Sequence, residues 1–86
     1  MTLSPDCSLL HLRGRNLLII QCPEGRKGLE VNESLAFLLE RAASGPFTAE
    51  SLAEALAVEY GVSPETALQD THATIDLWRN LHILTD

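Results

Sequence analysis

Five side chains in this sequence have the chemistry to bind a metal or act as nucleophiles: Cys7, His11, Cys22, His72 and His82. A metal site draws its ligands from closely spaced pairs, and no pair here has CxxC or HxxxH spacing. Structural or surface roles are the expectation for all five. Nucleophilic catalysis is no better supported, because no strand–elbow or glycine motif positions a Ser or Cys beside a base. Gly14, Gly25 and Gly28 read as turn and strand-edge glycines rather than a phosphate loop. The sequence therefore predicts no catalytic residue, no metal and no cofactor. The remaining chemistry belongs to the backbone. Leu29, Glu30 and Val31 form a short strand that runs straight into Asn32, a helix cap. Such a strand has no room to be covered by its own connection, and its edge can accept another chain.

The elements that must position this edge are legible from pattern and punctuation. Residues 8–12 and 16–22 flank Arg13-Gly14-Arg15, a short loop whose glycine can supply a positive φ. Pro23-Glu24-Gly25-Arg26 is a second turn, and residues 27–31 a third strand. Consecutive strands on short turns argue for an antiparallel meander. Its middle strand, apolar on both faces at Leu17, Leu18, Ile19 and Ile20, is the most buried. Three helices follow. The first spans residues 33–43, carries Leu35, Leu38, Leu39 and Ala42 on one face, and stops at Ser44-Gly45-Pro46. The second is capped by Thr48, with Phe47 and Leu52 spaced for a hydrophobic staple. Its buried stripe is Leu52, Ala55, Leu56 and Tyr60, and Gly61 ends it. The third has Ser63 as cap, Pro64 at its first position and Glu65 near the positive end of the dipole. It runs to about Asn80, and Ile83-Leu84 then extends along the core. The expected core is Leu18, Ile20, Leu35, Leu38, Leu39, Leu52, Leu56, Ile75 and Trp78. Residues 1–7 are expected as a loose tail and 8–86 as one domain.

Hydrophobic residues make up 45% of the chain, too many for a disordered one. The longest apolar run, residues 17–20, is far short of a membrane span, and the N-terminus lacks a signal-peptide pattern. A cytoplasmic location with reduced cysteines is the expectation. The net charge of −6 is unevenly spread. Residues 1–31 hold Arg13, Arg15, Arg26 and Lys27 against three acids, whereas the rest holds Arg41 and Arg79 against nine. The helical part would repel a phosphate backbone, so no nucleic-acid partner is expected. Only the strand region could attract an acidic ligand.

Asn32-Glu33-Ser34, the stripe from Leu35 to Leu39, Phe47-Thr48-Ala49-Glu50-Ser51-Leu52, Glu59-Tyr60-Gly61-Val62-Ser63-Pro64 and Asp70 together resemble the PqqD family. The similarity spans about residues 9–84. The resemblance implies an α+β fold, a three-stranded antiparallel β-meander followed by three α-helices in a winged-helix-like module called the RiPP recognition element. It also implies a non-enzymatic role: binding the leader segment of a ribosomally made precursor peptide and presenting it to a modifying enzyme, such as the radical SAM protein of pyrroloquinoline quinone synthesis. Departures from the family pattern fall at Val31-Asn32, at Thr71, His72 and Thr74, and at His82-Ile83-Leu84.

The third helix refines the expected site. With Thr71 at the centre of its inner face, Ala67, Thr74, Ile75 and Trp78 lie within about 60° at ~100° per residue. Leu77 and Leu81 fall about 80–120° to one side, beside Asp70, where a solvated helix would be polar. The expected peptide site is thus Leu29, Glu30 and Val31 as the backbone edge, with Asp70, Thr74, Leu77 and Leu81 as the groove wall. A winged-helix transcriptional regulator, or a homodimer joined through the same free edge, is the alternative. Asp70 and Asp76 against a single Arg79 speak against DNA.

Overall fold

The computed structural model of the chain describes residues 1–85. Its centre is the expected meander. Strand β2 (Cys7–Leu12) pairs antiparallel with β3 (Arg15–Cys22), which pairs antiparallel with β4 (Gly25–Val31), in the order β2-β3-β4. Each turn is two residues long, too short for any crossover: Leu12 faces Arg15 and Cys22 faces Gly25. Gly14 and Gly25 take positive φ at these corners, which is why short turns close there. Alternation then sorts the sheet's faces. Leu18, Ile20 and Val31 are buried beneath, while Leu17 and Ile19 are half-buried on the other face.

The helices begin and end where their caps dictate. Helix α1 (Glu33–Ala43) starts at Asn32, whose Oδ1 accepts from the Leu35 N–H at 2.8 Å. Helix α2 (Ala49–Tyr60) starts with a capping box between Thr48 and Ser51 and ends on Gly61 at φ 65°. Helix α3 (Pro64–Asn80) starts at Ser63, whose side chain accepts from the Thr66 N–H. This is the α+β arrangement expected, and the helix boundaries agree with the sequence reading. Of the nine expected core residues, all are buried except Leu35, which is half-buried. Phe47 meets Trp78 edge to face, with ring centroids 6.0 Å apart. The α3 stripe of Ala67, Thr71, Thr74, Ile75 and Trp78 is buried as its period requires. Thr71 Oγ1 and Trp78 Nε1 have no hydrogen-bond partner among the described residues.

Two expectations need correction. On α2, Ala53 rather than Ala55 joins Leu52 and Leu56 in the core, and Tyr60 is 42% exposed. The stripe shifts because α2 packs along α3, and Tyr60 at the last turn projects past it, edge on to Phe37 at 5.7 Å. The first residues are also not a loose tail. Strand β1 (Thr2–Leu3) pairs antiparallel with β5 (Leu84–Thr85), bringing Thr2 opposite Thr85. Met1 and Phe47 exchange backbone hydrogen bonds, Phe47 N–H to Met1 O at 2.8 Å and the Met1 ammonium to Phe47 O at 3.2 Å. Short polar-flanked strands of this kind carry too little periodicity to be seen in sequence.

The end of α3 is a Schellman turn. Ile83 N–H donates to Trp78 O at 3.1 Å and His82 N–H to Arg79 O at 3.0 Å. His82 occupies the left-handed position at φ 60°, which glycine fills at lower cost. His82→Gly is therefore expected to stabilise the fold by about 0.5–1 kcal/mol in urea unfolding. Leu39→Ala, at a site 2% exposed, is expected to cost about 2–5 kcal/mol in the same measurement.

Candidate functional site

Strand β4 is the edge of its sheet, with no partner strand beyond it among the described residues. Which of its backbone groups face outward follows from one hydrogen bond. Gln21 N–H donates to Asp6 O at 2.8 Å, so the odd-numbered residues of β3 turn their polar groups toward the β2 side. Asn16, Leu18, Ile20 and Cys22 therefore face β4, where their partners are Val31, Leu29, Lys27 and Gly25. The groups left on the open edge are those of Arg26, Gly28 and Glu30. This corrects the expected backbone set. Of Leu29, Glu30 and Val31, Glu30 alone offers its N–H and C=O outward, while Leu29 and Val31 spend theirs on β3 and turn their side chains inward. The Glu30 carboxylate also meets the Arg15 Nε at 2.5 Å across the outer face.

Helix α3 runs beside this edge in the opposite direction. Two clefts fix that relation. One, of ≈ 470 Å³, lies where β4 ends and is lined by Asn32, Leu35, Tyr60, Val62, Asp70 and Thr74 among others. The other, of ≈ 370 Å³, lies near the start of β4 and is lined by Ile20, Lys27, Asn80, Leu81 and His82 among others. From Lys27 to Asn32 a strand covers about 17 Å, and from Asp70 to Leu81 a helix covers about 16 Å, so the two elements match in length. Helix α3 packs extensively on α2 and makes few if any close contacts with β4, while α1 lies against β1, β2 and β3. The candidate groove is the strip between β4 and α3, bounded by one cleft just past the end of β4 and one at its start.

The expected wall residues are distributed along it. Asp70 and Thr74 line the first cleft and Leu81 the second. Thr74 is buried, and its hydroxyl donates to Asp70 O at 2.9 Å, so it offers the groove a methyl rather than a free donor. Leu77 is 42% exposed and lines neither cleft; it stands on the stretch of α3 between them. Lys27 and His82 sit at one end of the groove and Asp70 at the other.

Sequence reasoning missed Tyr60, Val62 and Ala73 as lining residues. The signal for Tyr60 was its place immediately before Gly61, where a helix stripe ends and a large side chain can turn out. Burial, and then the carboxylates of Glu33, Glu59 and Glu40, raise the Tyr60 phenol above its ordinary value. It remains a neutral hydrogen-bond donor at the cleft mouth.

Among the described residues no three His, Cys, Asp or Glu side chains gather as a metal site would need, and no helix is long and apolar enough to cross a membrane. Cys7 and Cys22 are free and half-buried, and burial first of all raises the Cys7 thiol, which makes it a poor nucleophile. The opposite edge strand, β2, is tied to α1 where His11 Nε2 meets Glu40 Oε1 at 2.8 Å.

The same fold occurs in a solved structure, TbiB1 in complex with the TbiA(beta) leader peptide, which superimposes with a TM-score of 0.80 at 17% identity and covers 100% of both chains. No curated protein matches this chain. The family profile described as Coenzyme PQQ synthesis protein D (PqqD) does match, over residues 9–84, which takes in most of the meander, all three helices and the start of β5. The chain belongs to the PqqD family.

Proposed function

We propose that this protein is a non-catalytic binding module that takes the leader segment of a ribosomally made precursor peptide as an added strand on β4. The observation that carries the reading is the row of outward backbone groups at Arg26, Gly28 and Glu30 beside an apolar helix flank. A peptide in this place receives main-chain hydrogen bonds irrespective of its sequence. Its alternate side chains enter the groove against Leu29, Leu77 and Leu81, and these contacts give specificity. Family membership and the likeness to a leader-peptide complex support the same reading. Lys27 and His82 favour an acidic residue of the peptide at one end, and Asp70 a donor at the other.

The modifying enzyme, of the radical SAM type or another, then meets a substrate held close by. Its effective substrate concentration rises without any new contact to the reacting residue. The modification chemistry itself stays with the enzyme.

The backbone assignment gives a sharp test. Proline at Glu30 removes an outward donor and no ladder bond, so Glu30→Pro is expected to fold while losing most peptide affinity. Leu29→Pro deletes a β3–β4 bond and is expected to unfold or to melt much lower. Leu77→Asp is expected to weaken binding about tenfold or more with the thermal midpoint nearly unchanged, since Leu77 lies outside the core. The measurements are circular dichroism, calorimetric titration and amide chemical-shift mapping, using the TbiA(beta) leader and peptides selected from a phage-displayed random library. Shifts confined to β2, β3 or α2, with residues 26–31 and 70–82 silent, would sink the reading. Concentration-dependent sedimentation abolished by Glu30→Pro would assign the edge to a second copy of the chain instead.

A further inference from the structure

Four of the five glycines sit where their backbone demands glycine, at φ 67° for Gly14, 135° for Gly25, 152° for Gly45 and 65° for Gly61. Gly28 does not. It lies inside β4 with an ordinary strand backbone, and a Cβ built there would meet only Ile19 Cδ1, at 3.5 Å, an ordinary contact. Neither conformation nor crowding calls for glycine, and glycine weakens a strand interior. A bare position in a strand often marks the close approach of another molecule.

The register says where that approach would come from. Gly28 is opposite Ile19 and shares its face, the outer one. Its N–H and C=O are among the groups on the open edge. Across the sheet from it that face is apolar: Leu10 and Leu12 are 45% and 48% exposed, Leu17 and Ile19 are half-buried, and Leu10 pairs with Leu17, whereas Arg26 and Glu30 flank it along β4. The missing side chain leaves a shallow notch on the exposed outer face, walled on one side by Ile19 and open at the edge.

Resting on the strand-addition reading, we infer that Gly28 determines ligand specificity: the peptide residue directly opposite it carries an aromatic side chain that lies across the glycine onto Ile19. Directly opposed residues in a hydrogen-bonded pair stand about 5.5 Å apart and point to the same face. A flat ring at that distance spans the bare Cα and covers the isoleucine, the arrangement by which aromatic residues offset glycine at sheet edges. An aliphatic side chain is too short to reach over, and a β-branched residue at position 28 would fill the notch and hold the ring away. The flanking peptide residues point the other way, into the groove. The ligand is thus apolar at three consecutive positions, with the middle one aimed away from α3.

The test pans a phage-displayed random peptide library separately on the native chain and on Gly28→Thr. The native pool is expected to fix Trp, Tyr or Phe at one position between two apolar residues, and the Gly28→Thr pool to lose that preference. For a selected peptide, replacing the ring with Ala should cost about tenfold on the native chain and little on Gly28→Thr. Nuclear Overhauser contacts should join the ring to the Ile19 δ1 methyl. The thermal midpoint of Gly28→Thr should equal or exceed that of the native chain, because threonine suits a strand better. If the amides of Gly28 and Glu30 respond to peptide but the two pools show the same preference, the role of Gly28 falls while strand addition stands. If those amides stay silent, both fall.

Discussion

Every property of the groove depends on β4 being paired from one side only. Strand β3 takes the inward backbone groups of Lys27, Leu29 and Val31 through an unbroken register. Among the described residues no strand then pairs with the outer edge, because the chain leaves the sheet at once. Asn32 caps α1 directly after Val31, with Oδ1 holding the Leu35 N–H and accepting from the Ser34 hydroxyl at 3.0 Å. A longer connection could have folded back over the edge. Burial of Leu38, Leu39 and Ala42 then draws α1 beneath β2 and β3 rather than β4. The open edge is the consequence of a one-residue junction and of the side on which α1 finds its core.

The facing wall is rigid for a separate reason. Trp78 is fully buried, packs edge to face with Phe47, and is followed by a Schellman turn that buries Ile83 against the same region. Phe47 is itself bracketed by backbone bonds to Met1. These contacts orient α3 about its own axis, and that rotation decides whether Leu77 and Leu81 look toward β4 or away from it. A groove built between a fixed strand and a fixed helix asks little reorganisation of either on binding, so more of the contact energy appears as affinity.

Local chemistry wrote much of this into the sequence. Three caps, two short turns and the α3 stripe all follow from residue type and spacing, and the helix limits agree with them. The strand edge was legible too, since Val31-Asn32 leaves no linker. What sequence could not supply was parity. Whether Glu30 or Leu29 faces outward depends on which β3 residues bond β2, and that is fixed only when Gln21 meets Asp6. Tyr60 and the shift from Ala55 to Ala53 likewise depend on how α2 rolls on α3, a tertiary choice among faces of similar hydrophobicity. The β1–β5 pair was invisible because two-residue strands have no period to read.

That last pair bears on the order in which the molecule assembles. The two turns of the meander and the links between successive helices close over short stretches of chain, whereas Thr2 and Thr85 are 83 residues apart in sequence. Closing so long a loop costs about 3 kcal/mol more than closing a hairpin, for two backbone pairs in return. The ends therefore cannot nucleate anything. They meet after the core has brought them together, and they part first when it loosens, taking with them the backbone bonds between Met1 and Phe47 that sit behind Trp78. The molecule has a seam where it can breathe, on the opposite account from its open edge: one pairs late because the chain must travel, the other stays unpaired because the chain never returns.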